Sequence, residues 1–352
     1  MRLSRFGILV IIAFTVLLGS SCGFYSQIMA RKDLVDGSKA YKDRKFQEAE
    51  ELFRSAAKRD PNGDTLEGRT AQLSLARTLH SMYIGNRGVK SKAEEALTEY
   101  KKSLPQSLKD LTTTKAAYDK TPAGASEQRM YLAALTAVDS TASAIASLYD
   151  NIEQPDTAKE WLTTVAGDAQ YPETARARSF STLSGKLNSC ANDITDTEQT
   201  KKTIKKDGKD AFQFIKPANP ADFAKLKECV DQGTKLIDQA LSLEPDLVKN
   251  VSTLDIKKAS DAQLAIYSEI LKSFESARSY RASLLIQAMR AAEMDGRTAD
   301  ADKLKVDAEA AKNKFKELSD VVRNIQTEID ARTAAKEEAE KGAAAANNAN
   351  KK

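Results

Sequence analysis

The sequence predicts an all-α fold: a helical-hairpin array of the α-solenoid kind, followed by a long antiparallel helical hairpin or coiled coil. Three observations lead there. The chain has 352 residues, more than the roughly 100–200 typical of one domain, which suits two domains or one elongated array. Hydrophobic residues make up 41% and charged residues 30%, while glycine and proline number only 15 and 8, too few for the turn density of a sandwich or barrel. Beyond position 22, apolar residues recur at three- and four-residue spacing almost throughout, the period of an amphipathic helix. Strands are expected to be few or absent. The formal charge of +4 is the difference between 54 basic and 50 acidic side chains, and such interspersed charge marks solvated helix faces and makes a weak case for nucleic acid as a partner.

Residues 1–22 follow another logic. Arg2 and Arg5 precede an apolar run from Phe6 to Leu18, and the small residues Gly19, Ser20 and Ser21 lead to Cys22, the layout of a secretory signal. A run of about 13 residues is roughly 20 Å of helix, short of the ~30 Å hydrocarbon core. Small residues directly before a cysteine resemble a bacterial lipoprotein lipobox, with Leu18 one position earlier than the usual leucine. The resemblance implies that Cys22 is lipidated and becomes the mature N-terminus; plain secretion and an uncleaved anchor stay open. Gly23 stands where that family often places an aspartate for inner-membrane retention, which implies an outer-membrane lipoprotein facing the periplasm of a two-membrane bacterium. Export to an oxidising compartment would let Cys190 and Cys229 pair as a disulfide. A loop of about 39 residues would then constrain the unfolded chain by roughly 3–4 kcal/mol. Two unrelated buried cysteines are the alternative.

The eight prolines punctuate the helical pattern, each expected at a helix start or stop. Asn219 is a natural N-cap before Pro220. Between Gly37 and Pro61 runs GSKAYKDRKFQEAEELFRSAAKRDP. Gly37 and Ala40 are small enough for a second helix to approach, Phe46, Ala49, Phe53 and Ala56 share one helical face, and Pro61 ends the unit. This stretch resembles a tetratricopeptide repeat. Gly37, Ala40, Tyr41, Phe46, Ala49, Phe53, Ala56 and Pro61 fall on the family's signature positions, while Asp33 stands where a large residue belongs, so that Leu34 or Val35 would substitute. One such unit cannot bury its face alone, so neighbours are required. Candidates are the helices carrying Leu75, Leu79 and Tyr83, then Ala93, Leu97 and Tyr100, and a third pair over 124–150 and 155–168 in which Tyr131, Leu135, Val138 and Trp161 supply the stripe.

The repeats are expected over 23–193. Residues 194–218, with lysines at 201, 202, 205, 206 and 209, read as a linker, a solvated loop or helix face more than a site for an acidic partner. Residues 219–251 form a further repeat-like helical segment, and 252–341 a long helical hairpin turning at Asp295 and Gly296. On its second helix, Leu304, Ala308, Ala311, Phe315, Leu318, Val322, Ile325 and Ile329 alternate spacings of four and three, the seam of a coiled coil. The segment 342–352 has nothing to bury and is expected to be disordered or frayed.

For catalysis the sequence offers little. Its one histidine, His80, lies among core residues of a helix, and no metal-ligand, phosphate-loop or nucleophile motif accompanies it. No catalytic residue, metal or cofactor is therefore expected. The repeat resemblance implies a non-enzymatic protein-protein interaction scaffold of the cell envelope, held by its lipid and taking a partner segment in a groove lined by first helices, with Lys39, Lys42 and Asp43 as candidate contacts. The alternative is a structural spacer self-associating through 260–330.

Overall fold

A computed structural model of the chain describes residues 25–349 apart from Asp207. Cys22 and the rest of the expected signal lie outside the described residues. The fold is all-α save for one small hairpin: α1 (25–42), α2 (Phe46–Arg59), α3 (Leu66–Gly85), α4 (Lys90–Lys120), α5 (Ala125–Asn151), α6 (Pro155–Gly167), α7 (Glu173–Thr195), β1 (Lys201–Lys206), β2 (Lys209–Phe214), α8 (Pro220–Ser242), the short α9 (Asp246–Lys249), α10 (Asp261–Met294) and α11 (Thr298–Ala349). The chain divides into two compact units, one of residues up to Thr113 with Ala144–Pro155, the other of Thr114–Ser143 with everything from Asp156 on.

In the first unit, α1 and α2 form a tight helical hairpin. Arg44 takes a left-handed φ of 59°, and the amide of Lys45 returns to the carbonyl of Ala40 at 2.9 Å. Ala40, Ala49, Phe53 and Ala56 are buried. Gly37 faces Phe53 so closely that a Cβ there would lie 2.8 Å from the ring, which is why a side chain is excluded. Tyr41 meets Phe46 edge to face, centroids 5.4 Å apart. Leu34, and not Val35, fills the apolar position beside Asp33. Asp33 itself is buried and satisfied, accepting from Ser55 Oγ at 2.8 Å and pairing with Arg59. Pro61 is exposed, and the α2–α3 turn is organised by its neighbour Asp60, which accepts from the Thr65 amide and hydroxyl, both at 2.7 Å. Burial pushes the Asp60 carboxyl up, but these bonds outweigh it and hold it below the ordinary aspartate range. Pro105 corrects the expectation for the prolines, because it lies inside α4. There it removes one backbone bond from a helix whose buried face, including Tyr100 and Leu104, keeps the helix packed.

In the second unit α10 is the central helix, packed against α7, α8 and α11. It buries more than one stripe, Leu264, Leu271 and Phe274 together with Ile266 and Leu284. The seam of α11 turns inward, with Ala308, Leu318, Val322 and Ile325 buried and the other expected seam residues half-buried. The two helices run antiparallel, since Arg278 reaches the Lys314 carbonyl at 3.2 Å and Arg332 the Ala259 carbonyl at 2.8 Å. Arg278 is buried and also grips Glu244 through two hydrogen bonds of 2.8 and 3.1 Å.

Two further expectations need correction. Residues 194–218 are not a linker: α7 runs to Thr195, and β1 and β2 pair antiparallel from Lys201↔Phe214 to Lys206↔Lys209 around Gly208, whose φ is +77°. The hairpin is rooted where Phe214 packs against the cluster of Phe223, Leu226 and Met294 beneath the Arg290 guanidinium, 4.6 Å from the ring. A disulfide between Cys190 and Cys229 joins α7 to α8 across the base of this insertion, with Cα atoms 6.3 Å apart. Residues 342–349 are likewise not irregular, because α11 continues to Ala349, and 350–352 lie outside the described residues; the alanines have the highest intrinsic helix propensity and need no tertiary partner to extend a helix already nucleated.

Candidate partner-binding cleft

Within the second unit, the C-terminal turn of α4, the first half of α5, the start of α7, the α8–α9 corner and the first half of α10 enclose an open cleft of about 570 Å³. That volume falls in the range of ligand and side-chain pockets. Its floor is apolar, formed by Leu135, Ile266 and Phe274, all buried, with Ile270 beside them. Its rim is aromatic. Tyr118 stacks on Tyr131 with centroids 4.8 Å apart and planes 13° from parallel. Tyr267 is oriented by Gln263, whose Nε2 donates to the phenolic oxygen at 2.7 Å. Burial drives the Tyr131 hydroxyl well above its ordinary range, and the carboxylate of Glu173 adds to the effect, so the phenol stays neutral at any physiological pH. Rigid tyrosines over a greasy floor are the chemistry of binding hot spots, large contact area with little side-chain entropy to lose. Lys115 and Asp119 also line the cleft, paired with each other at 2.7 Å.

Beneath the cleft lies a polar layer. Thr174 lines the wall and donates to Asp139 Oδ1 at 2.9 Å. Asp139 is fully buried, and its Oδ2 has no hydrogen-bond partner. One turn along α7, Arg178 donates to Ser273 Oγ at 2.9 Å and to Glu269 at 2.5 Å. Burial pushes the Asp139 carboxyl up to about 7; Arg178 and the Thr174 bond oppose the shift, and Glu269 adds to it.

Lys39, Lys42 and Asp43 are all exposed, at the C-terminal end of α1 and in the turn after it, and none lines this cleft. His80 is half-buried, edge-on to Tyr100 at 6.1 Å, and burial lowers its pKa. Trp161 is a structural anchor, its indole N–H donating to the Ala142 carbonyl at 2.9 Å. Among the described residues no group of three or more His, Cys, Asp or Glu gathers to hold a metal ion. Tyr131 and Tyr267 carry their helical stripes in the sequence, whereas Tyr118 was missed there. Its only signal was being the lone aromatic in the polar stretch TTTKAAYDKTP. The chain matches no known family model, and no curated protein matches it significantly in sequence.

Proposed function

We propose that this chain is a non-catalytic interaction scaffold of the bacterial envelope, attached to the outer membrane through a lipid on Cys22 and facing the periplasm, and that it holds a partner protein by an apolar or aromatic side chain in the tyrosine-rimmed cleft. The observation that carries the reading is the cleft itself, where three tyrosines stand open over an apolar floor of Leu135, Ile266 and Phe274. The helical hairpins act as the frame, α1 and α2 in the tetratricopeptide manner. The α11 seam supports the scaffold over the self-associating spacer, because its apolar residues are already covered by α10 of the same chain.

The test is capture of partners from detergent-solubilised envelopes by the full chain, compared with Tyr118→Ala/Tyr267→Ala. Both tyrosines are half-buried rim residues, so circular dichroism should remain native while the principal partner is lost. Retention of that partner by the folded double variant sinks the cleft. In the same cells Cys22→Ser should move the protein from the membrane to the soluble fraction; continued tight attachment would refute the lipid anchor and favour a retained apolar segment.

A further inference from the structure

The β-hairpin is the one departure from helix in the described chain, and its chemistry differs from the rest. Between positions 201 and 216 lie six lysines and two aspartates, an excess of four positive charges that equals the formal +4 of the whole chain. Over the full sequence the remainder is formally neutral, with Arg2 and Arg5 of the expected signal included. On one face the register sets Lys201 opposite Phe214, Thr203 opposite Phe212 and Lys205 opposite Asp210. Phe214 is the root, packed into the helical body. Phe212, one pair further out, is 58% exposed, and Ile215 is 41% exposed. Lys201 lays its ammonium 4.4 Å from the centre of the Phe212 ring. Lys202, Lys205 and Lys209 are exposed along the two strands.

Lysines on an open strand edge ordinarily guard against edge-to-edge pairing. That role does not account for a phenylalanine and an isoleucine left in water beside them. By the strand alternation Phe212 shares its face with Lys201 and Lys205, which pair with Asp196 and Asp210, while Ile215 shares the opposite face with Lys202 and Lys209. An exposed apolar side chain flanked by lysines on each face fits an anionic lipid surface, where the ring enters the headgroup boundary and an ammonium stays among the phosphates on its apolar stem. A two-stranded hairpin alone is marginal in water, but this one is held at its base by Phe214 and by the Cys190–Cys229 bridge. It can present these side chains in fixed register.

We propose that the 201–216 hairpin is a docking element for a membrane surface rich in anionic lipid headgroups, a second attachment beside the N-terminal one. It rests on the membrane-attached reading for its setting, and the two fail separately. The full chain is sedimented with vesicles of phosphatidylcholine alone and of phosphatidylcholine containing phosphatidylglycerol. The hold on the zwitterionic vesicles reports attachment that needs no anionic lipid; the additional hold on the anionic ones, and its loss with salt, reports the hairpin lysines. At about 1 kcal/mol per lysine near an anionic surface, Lys202→Gln/Lys209→Gln should weaken the anionic increment about thirtyfold with the zwitterionic hold unchanged, and Phe212→Ser should weaken the hold on the anionic vesicles about tenfold. Both variants alter exposed side chains, and a native melting curve shows that the fold is kept. An anionic preference that is absent, or that both folded variants retain, overturns the proposal, even if the lysines then prove to hold an acidic protein.

Discussion

Replacing Asp139 with asparagine should make the second unit more stable at alkaline pH and remove a large part of its pH dependence. The carboxyl is fully buried, one oxygen bonded to Thr174 and the other without a partner, and burial has pushed it up to about 7. In the unfolded chain an aspartate gives up its proton near 3.9. Between those two values the unfolded state binds fewer protons than the folded one, so raising the pH favours unfolding. The stability is fully present below about pH 4 and is lost as the pH climbs through 7. At about 1.4 kcal/mol per pH unit, the penalty by pH 8 is about 4 kcal/mol, a large share of the stability of an ordinary domain. The substituted amide would keep an oxygen for the Thr174 hydroxyl and would carry no charge to desolvate. Urea titrations of wild type and Asp139→Asn, followed by circular dichroism from pH 4 to pH 8, give the difference directly. Other titrating groups cancel in the subtraction. The variant's advantage should grow by about 4 kcal/mol over that range; a difference independent of pH would show that Arg178 keeps Asp139 ionised throughout, and the reasoning would fail.

Gly37→Leu should destabilise the α1–α2 hairpin by about 2 kcal/mol, because its first carbon already falls 2.8 Å from Phe53. Gly85→Leu, where nothing lies within 4 Å, is the control, and equal stabilities in urea would mean that the close approach is not needed. Removing the disulfide as Cys190→Ser/Cys229→Ser, which opens a loop spanning 39 residues, should cost about 4 kcal/mol on the loop-entropy account; an unchanged melting temperature in the double variant would rule that constraint out.

How far the sequence carried depends on how local each feature is. The α1–α2 unit was legible down to single residues, since a glycine, three alanines and two phenylalanines at fixed helical intervals leave one way to nest two helices. The α11 seam was legible for the same reason, a strict heptad alternation with polar residues between. The hairpin was missed although its signal was present. Asp207–Gly208 between Thr203–Ile204 and Phe212–Phe214 is a turn dipeptide flanked by strand-forming residues, but the lysines masked the alternation. Leu284, fully buried, carries no signal of its own in the sequence, because α10 is covered on several sides and no single stripe describes a central helix.

By itself the sequence determined the helices, the nesting of the first pair and the antiparallel closure of the last, all set by side chains a few positions apart on one strand of chain. Only the tertiary structure decided which tyrosines meet at one rim, that Asp139 is sealed beneath them, and that lysines and phenylalanines share a hairpin face. Those features join residues 11 to over 100 positions apart, and a helical period reports which way a side chain points along its own axis but not what another element brings to meet it.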